Sequence, residues 1–274
     1  MPWSIIMVGA CALGFGVLSR LFPCNPGQKV FTRETADDVL YYFVNVLFYA
    51  GLSWALVKGA VGAALPAHAP ALLKALHDGW GWMPKLPLIA QMGVLLVVTD
   101  VIQYWLHRAF HHGALWPFHA VHHGAEQVDW TTTFRVHPVN YLAYTTSVAV
   151  LTQLMGFSPL AFIVLAPINF VHAALVHANL NWTFGPFRYV LASPVFHRWH
   201  HVDDPAIRDK NFAPTFPVLD VLFGTFYMPR GVLPQTYGVE GVPPNFIGQM
   251  LYPLGPLAGW YAKAVKPAPG PTGA

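Results

Sequence analysis

Charge is scarce in this chain. Fifteen Lys and Arg and twelve Asp and Glu make up 10% of 274 residues, against ~25% in an ordinary soluble domain. Together with 55% hydrophobic residues and a mean hydropathy of +0.44, this points to a membrane protein. Cysteine is nearly missing too. Cys11 and Cys24 offer neither a disulfide framework nor CxxC metal spacing, and they leave the redox compartment undetermined. The sequence contains no Walker or dinucleotide glycine loop, no Gly-x-Ser-x-Gly elbow and no HExxH, so the chemistries that those motifs carry are not indicated. The net charge of +3 is accounted for by membrane orientation, and a nucleic-acid partner is not expected.

Long apolar runs are what the chain does have. Residues 3–22, 39–57 and 88–106 each match the ~17–25 residues that cross a bilayer, the third with Asp100 inside it. Residues 141–177 are apolar almost throughout but broken at Gly156-Phe157-Ser158-Pro159, which predicts a two-helix hairpin. Residues 245–265 are interrupted by Pro253 and Pro256 and are expected to be interfacial. The first run lacks a basic n-region and has Arg20 at its far end, which fits a retained anchor better than a cleaved signal. The expectation is a single membrane-embedded all-α domain over 1–274 with about four transmembrane helices and a helical cytosolic cap. Its histidine region would span 100–228 and its flexible tail 266–274. If the histidines share one side, twelve Lys and Arg lie there and only Lys58, Lys74 and Lys85 opposite. By the positive-inside rule that side is cytoplasmic, in a bacterial inner membrane or the endoplasmic reticulum, with 62–87 along the far interface and the N-terminus outside.

Twelve of the fourteen histidines fall between His107 and His201. They include His107-Arg-Ala-Phe-His111, His119-Ala-Val-His122-His123 and His197-Arg-Trp-His200-His201. On a helix, residues i, i+3 and i+4 share a face, so each cluster can aim two or three imidazoles at a common point. Eight or more imidazoles are too many for one ion, which argues for two metals. Asp100, Tyr104, His107 and His111 form one helical stripe. Asp100 and Tyr104 are therefore candidate catalytic residues, with Asp100 expected to accept from an imidazole N–H or from Tyr104. His172 and His177 lie about 140° apart around an ideal helix, so only one of them can readily face the site. Trp105, Phe110, Trp116, Phe118, Phe196 and Trp199 are candidates for an acyl pocket or for plain packing. Two other classes remain open: a bis-histidine haem electron carrier, which would want paired mid-span histidines, and a metal transporter, which would spread its ligands across the bilayer.

The order HxxxH, HxxHH, a later histidine and HxxHH, with Ser193-Pro194 before the last box and Asn211-Phe212 and Asp220–Thr225 after it, resembles the fatty acid hydroxylase / sterol desaturase superfamily of integral-membrane di-iron enzymes. The resemblance covers about residues 100–228. It implies two Fe ions, replaceable by zinc, held by His107, His111, His119, His122, His123, His177, His197, His200 and His201. His137 resembles a subgroup feature and ranks below these nine, and His112 and His172 rank lower still. It further implies O2-dependent hydroxylation or desaturation of a lipid-like substrate (sterol, fatty acyl or related) taken from the bilayer, and a separate electron-donor protein. No counterpart of the family's fused haem-binding donor is expected here. Asp100, Asp203, Asp204 and Asp209 are candidates for offsetting the cationic centre.

Overall fold

A computed structural model describes residues 2–45, 50–64 and 68–257. Twelve α-helices are described: α1 Pro2–Leu21, α2 Arg33–Phe43, α3 Ala50–Ala64, α4 Ala69–Asp78, α5 Leu88–Phe110, α6 Trp116–His123, α7 Pro138–Leu154, α8 Pro159–His177, α9 Pro194–His200, α10 Val218–Leu222, α11 Phe246–Leu251 and α12 Leu254–Leu257. Among the described residues there is no strand, only the isolated bridge between Val202 and Tyr237.

The helix boundaries follow local chemistry. Thr32 caps α2 through a reciprocal capping box with Thr35, Ser193 Oγ accepts from Phe196 N at the start of α9, and proline occupies the first turn of α6, α7, α8 and α9, where its missing N–H leaves no bond unmade.

Helices α5 and α8 are long and apolar enough to cross a membrane. On α5 the large exposed side chains are Ile89, Val97, Val101 and Trp105, while Gln91, Leu95, Thr99, Asp100, Tyr104 and His107 are buried. Each helix thus turns an apolar stripe outward, the opposite of a soluble amphipathic helix. The expected run 88–106 extends through Phe110, so the first histidine box rides on the helix itself. Of the expected two-span hairpin only α8 is long and apolar enough to cross, and the run 141–177 forms a helix-turn-helix of α7 and α8 joined through residues 155–158.

Its tip is fixed by Trp80, whose backbone N–H donates to Gly156 O (3.0 Å) and whose indole donates to Gln153 O (2.8 Å). Gly156 sits at φ +85 against the Trp80 carbonyl, a conformation and a proximity that exclude a side chain. Residues 68–87 and the α7–α8 turn therefore share one end of the molecule, and the C-terminal ends of α5 and α8 carry His107 and His177 at the other. The expected run 39–57 falls on α2 and α3, with 46–49 outside the described residues. Of the expected interfacial segment, α11 and α12 are described, broken at Tyr252-Pro253. The rest of it and the tail at 266–274 lie outside the described residues.

Candidate metal centre

Nine buried imidazoles gather between the ends of α5, α6, α8 and α9. One group comprises His107, His111, His119, His123 and His200, the other His122, His177, His197 and His201, and within each group one nitrogen per residue lies within 4.8 Å of all the others. The members of each i, i+4 pair, 107/111, 119/123 and 197/201, stay together. The expectation that i+3 would join them is corrected. Residues i+3 and i+4 lie about 100° apart around the helix, so each consecutive His-His pair straddles the boundary. His122 and His123 face different groups, as do His200 and His201. The groups abut, with the His123 and His201 rings stacked at 4.7 Å.

Outer partners fix the ring tautomers. Nδ1 of His107 donates to Phe212 O (2.8 Å), that of His122 to Arg135 O (3.0 Å), that of His177 to Ala173 O (2.7 Å), and that of His200 to Lys210 O (2.7 Å). His119 Nδ1 donates to Asn140 Oδ1 (2.8 Å). These oxygens only accept, so each Nδ1 carries the proton and each Nε2 presents a bare lone pair.

Nevertheless, Nε2 of His107 lies 3.0 Å from Nε2 of His119, and Nε2 of His177 lies 3.2 Å from that of His122. No proton is available to bridge these pairs, so the facing lone pairs repel unless a cation accepts both. Buried Nε2 atoms of His111, His123 and His200 and Nδ1 of His201 likewise have no partner among the described residues, a pattern that in a native site calls for an ion or water. The residues fit a metal.

Burial, reinforced by neighbouring imidazoles, holds His111, His119, His122, His123, His197, His200 and His201 well below the usual imidazole pKa, so their lone pairs are free at neutral pH.

Asp209 Oδ1 accepts from His111 Nδ1 at 3.0 Å. The other sequence-stripe residues stand elsewhere. Asp100 does not meet an imidazole or Tyr104: its two oxygens accept from Thr215 N (2.7 Å) and Phe216 N (3.0 Å), because two backbone N–H groups reach the carboxylate first. Tyr104 OH pairs with Thr225 Oγ1 (2.9 Å) and touches none of the nine imidazole nitrogens. Its influence is relayed, since Thr225 donates to Asp220 (2.6 Å) and Asp220 accepts from Phe212 N and Ala213 N, fixing the carbonyl that receives His107.

His137 belongs to neither group. Its Nδ1 accepts from Val139 N at the start of α7 and its Nε2 faces Met250 O. His172 Nε2 faces Ala192 O (3.2 Å), leaving His177 as the hairpin's contribution, and His112 is exposed. Asp203 pairs with Arg208 and Asp204 caps Ala206 N.

Sequence reasoning missed Asn140 and gave Asn211 no role. Asn211, at φ +59, ties Phe196 O, Tyr227 O and Tyr227 N together and thereby positions the Lys210 and Phe212 carbonyls. A non-glycine residue in the left-handed region is most often Asn or Asp.

Beside the centre is a cavity of ≈ 530 Å³ between α2, α5, α7 and α8 that reaches His177 and His197. Its aromatic lining is Tyr42, Phe134, Tyr141 and Phe170, and none of the six aromatics expected around the boxes lines it. Phe196 and Trp199, for example, lie in the core with Val195 and Met228.

The fatty acid hydroxylase family model matches residues 92–225. The chain is 26% identical over 256 residues to an ornithine lipid hydroxylase of Rhizobium tropici, spanning 92% of this chain and 75% of that protein. It is 31% identical over 150 residues to the alkylglycerol monooxygenase of Danio rerio (54% of this chain, 31% of that protein), and 24% identical to a very-long-chain aldehyde decarbonylase of Arabidopsis thaliana (70% and 29%). The chain thus spans three quarters of the first of these and less than a third of the other two. No solved structure matches it significantly.

Proposed function

We propose, from the premise that this chain belongs to the fatty acid hydroxylase family through residues 92–225, that it is a membrane oxidoreductase hydroxylating or desaturating a lipid-like substrate at a di-iron centre. The observation that carries the reading is the convergence of nine buried imidazoles, six of them held in one tautomer by outer acceptors, on two adjacent points next to a cavity inside an apolar helix bundle. His107, His111, His119, His123 and His200 would hold one ion, and His122, His177, His197 and His201 the other. Two irons, with O2 and electrons from a separate donor protein, supply an oxidant that can take hydrogen from an unactivated C–H bond, which no side chain can do.

The chain's own residues do the rest. The Phe212, Arg135, Ala173 and Lys210 carbonyls and Asn140 hold five of the imidazoles in one tautomer. Phe134, Phe170, Ala173 and Val176 exclude water and align an apolar chain beside His177 and His197.

The reading includes about four spans, with the histidine groups cytoplasmic. Two observations support it: the twelve-to-three distribution of Lys and Arg, and the pairing of Trp80 with Gly156 at the end opposite the histidines. Reporter fusions within 62–87 should then read as non-cytoplasmic, and a cytoplasmic signal overturns the orientation.

The function is tested by comparing lipids of cells with and without the gene under 18O2, together with metal analysis of Fe(II)-reconstituted protein. About two ions per chain and a lipid altered only with the gene are expected. One ion or fewer, or unchanged lipids, defeats the reading.

A further inference from the structure

The chain leaves α8 at His177 and doubles back. Asn181 N donates to Phe22 O at 3.0 Å, just beyond the end of α1. Ala192 O then faces His172 Nε2 at 3.2 Å, about 7.5 Å back from the helix end toward the middle of α8. Residues 182–191 are thereby held along the outside of the last turns of α8, at a depth where that helix still exposes Val171. Their large exposed side chains are Phe187 (68%), Val190 (57%), Tyr189 and Leu191. Such a patch at the rim of an apolar bundle belongs in the interfacial layer of a bilayer.

The same segment forms one wall of a cavity of ≈ 490 Å³, with residues 228–233 as the other. Arg188 and Arg230 line it, and no Asp or Glu does. Arg188 is held in place: its guanidinium lies over the Tyr189 and Phe226 rings, 5.1 and 5.3 Å from their centroids, and Nη2 donates to Met228 O at 2.7 Å. That uses one of its five N–H groups. Nε is buried without a partner among the described residues, and neither arginine pairs with a described carboxylate.

A partly buried guanidinium is costly without a counter-charge, and its planar fork matches the oxygens of a phosphate in pairs. A phospholipid carries phosphate next to acyl chains, the two chemistries that this cavity and the patch beside it accommodate. A headgroup ammonium would meet two cations and no acid.

We infer that the cavity between residues 183–189 and 228–233 binds the phosphate of an anionic phospholipid in the leaflet at the histidine end, with Phe187 and Val190 among its acyl chains. The inference goes beyond the oxidation reading and needs only the seat of the chain in a membrane.

Native mass spectrometry tests it, on the full chain released from nanodiscs of equimolar phosphatidylglycerol and phosphatidylcholine with the same acyl chains. The wild type should retain phosphatidylglycerol preferentially. A basic side chain at a membrane surface is worth about fivefold in binding to anionic lipid. Arg230→Gln, which breaks no side-chain hydrogen bond or ion pair among the described residues, should therefore lower the preference about fivefold, and Arg188→Gln with Arg230→Gln roughly 25-fold. Arg20→Gln with Lys29→Gln removes two cations that line a different cavity and should leave the preference intact. No preference in the wild type, an undiminished preference in both Arg230 variants, or an equal drop in the Arg20 and Lys29 variant overturns the inference.

Inorganic phosphate is the second arm. Offered to the delipidated chain in detergent, it should not be retained, because it has no acyl chains to seat on the apolar patch. Retention of inorganic phosphate that Arg230→Gln abolishes would make the ligand a soluble phosphate and overturn the lipid assignment.

Discussion

Arg135 joins the metal centre to the N-terminal part of the chain, and the effect of cutting that link can be worked out. Its guanidinium Nε donates to Asp38 Oδ1 at 2.6 Å and Nη2 to Glu34 Oε2 at 3.1 Å, with Arg135 1% and Asp38 3% exposed at the side chain. Asp38 also accepts from Thr131 Oγ1 at 2.8 Å, and the backbone carbonyl of Arg135 receives His122 Nδ1.

Removing one partner of a buried pair strands the other, typically costing about 3–5 kcal/mol. Asp38→Asn should fall at the low end, about 3 kcal/mol, because Glu34 retains one guanidinium nitrogen. Arg135→Met should cost more, since only Thr131 then faces Asp38. The double change Asp38→Leu with Arg135→Met abolishes both charges and should recover most of the loss, because a buried pair replaced by apolar residues is often neutral. Denaturant titration of the detergent-purified chain, followed by tryptophan fluorescence, gives the cycle.

Metal titration gives the second readout. A displaced Arg135 carbonyl should weaken binding at the group containing His122 by about 10- to 100-fold while leaving the group containing His107 intact. Single variants within 1 kcal/mol of wild type (the flat end of surface substitutions), a double variant no better than the singles, or equal losses at both groups would refute the reasoning.

Three other outcomes follow from the geometry. His123→Ala and His201→Ala should each lower metal content, but at different groups, so a spectroscopically distinct ion remains in each; identical residual signals would contradict the split of the consecutive pairs. His172→Ala and His137→Ala should retain both metals, the latter losing about 1 kcal/mol as a helix cap is removed; metal loss in His172→Ala with normal content in His177→Ala reverses the assignment. Burial pushes the Asp129 carboxyl up to about 6. Between its unfolded value near 3.8 and 6 the folded chain therefore holds a proton that the unfolded chain releases. Stability falls as pH rises through that window and stays lower above it. Asp129→Asn keeps an acceptor for Thr131 N and should be more stable than wild type at pH 7, by at most about 3 kcal/mol, with the gain vanishing near pH 4; an unchanged difference across pH 4–7 contradicts this.

The parts of the site legible in the sequence are those that helical periodicity dictates. HxxxH and HxxHH spacing brings 107 with 111, 119 with 123 and 197 with 201, and the 140° offset on α8 separates His177 from His172. The break between α7 and α8 was legible as an apolar run interrupted by glycine and proline. The division of His122 from His123 was hidden, because periodicity gives directions around an axis and not what stands in each direction.

The acceptors of the Nδ1 protons were hidden for a different reason. Four of them are backbone carbonyls, which every residue possesses. Asp100 misled because an intramembrane acid implies a partner without naming it, and here two amide N–H groups of the 215–216 segment arrive from 115 residues away. The cavity's aromatics lie on α2, α7, α8 and the 130–134 turn, outside the boxes themselves, so adjacency to the boxes in sequence pointed at the wrong six.

The assignment of adjacent histidines to opposite groups makes the last turns of α6 and α9 act as calipers. The gap between the two groups is set twice over by the step between consecutive residues of a peptide helix, about 100° around the axis, which no replacement elsewhere alters. The cavity, by contrast, is walled by side chains of α2, α5, α7 and α8, which can be exchanged without touching that measure. The chain can thus change what it admits while the distance across its centre stays the same.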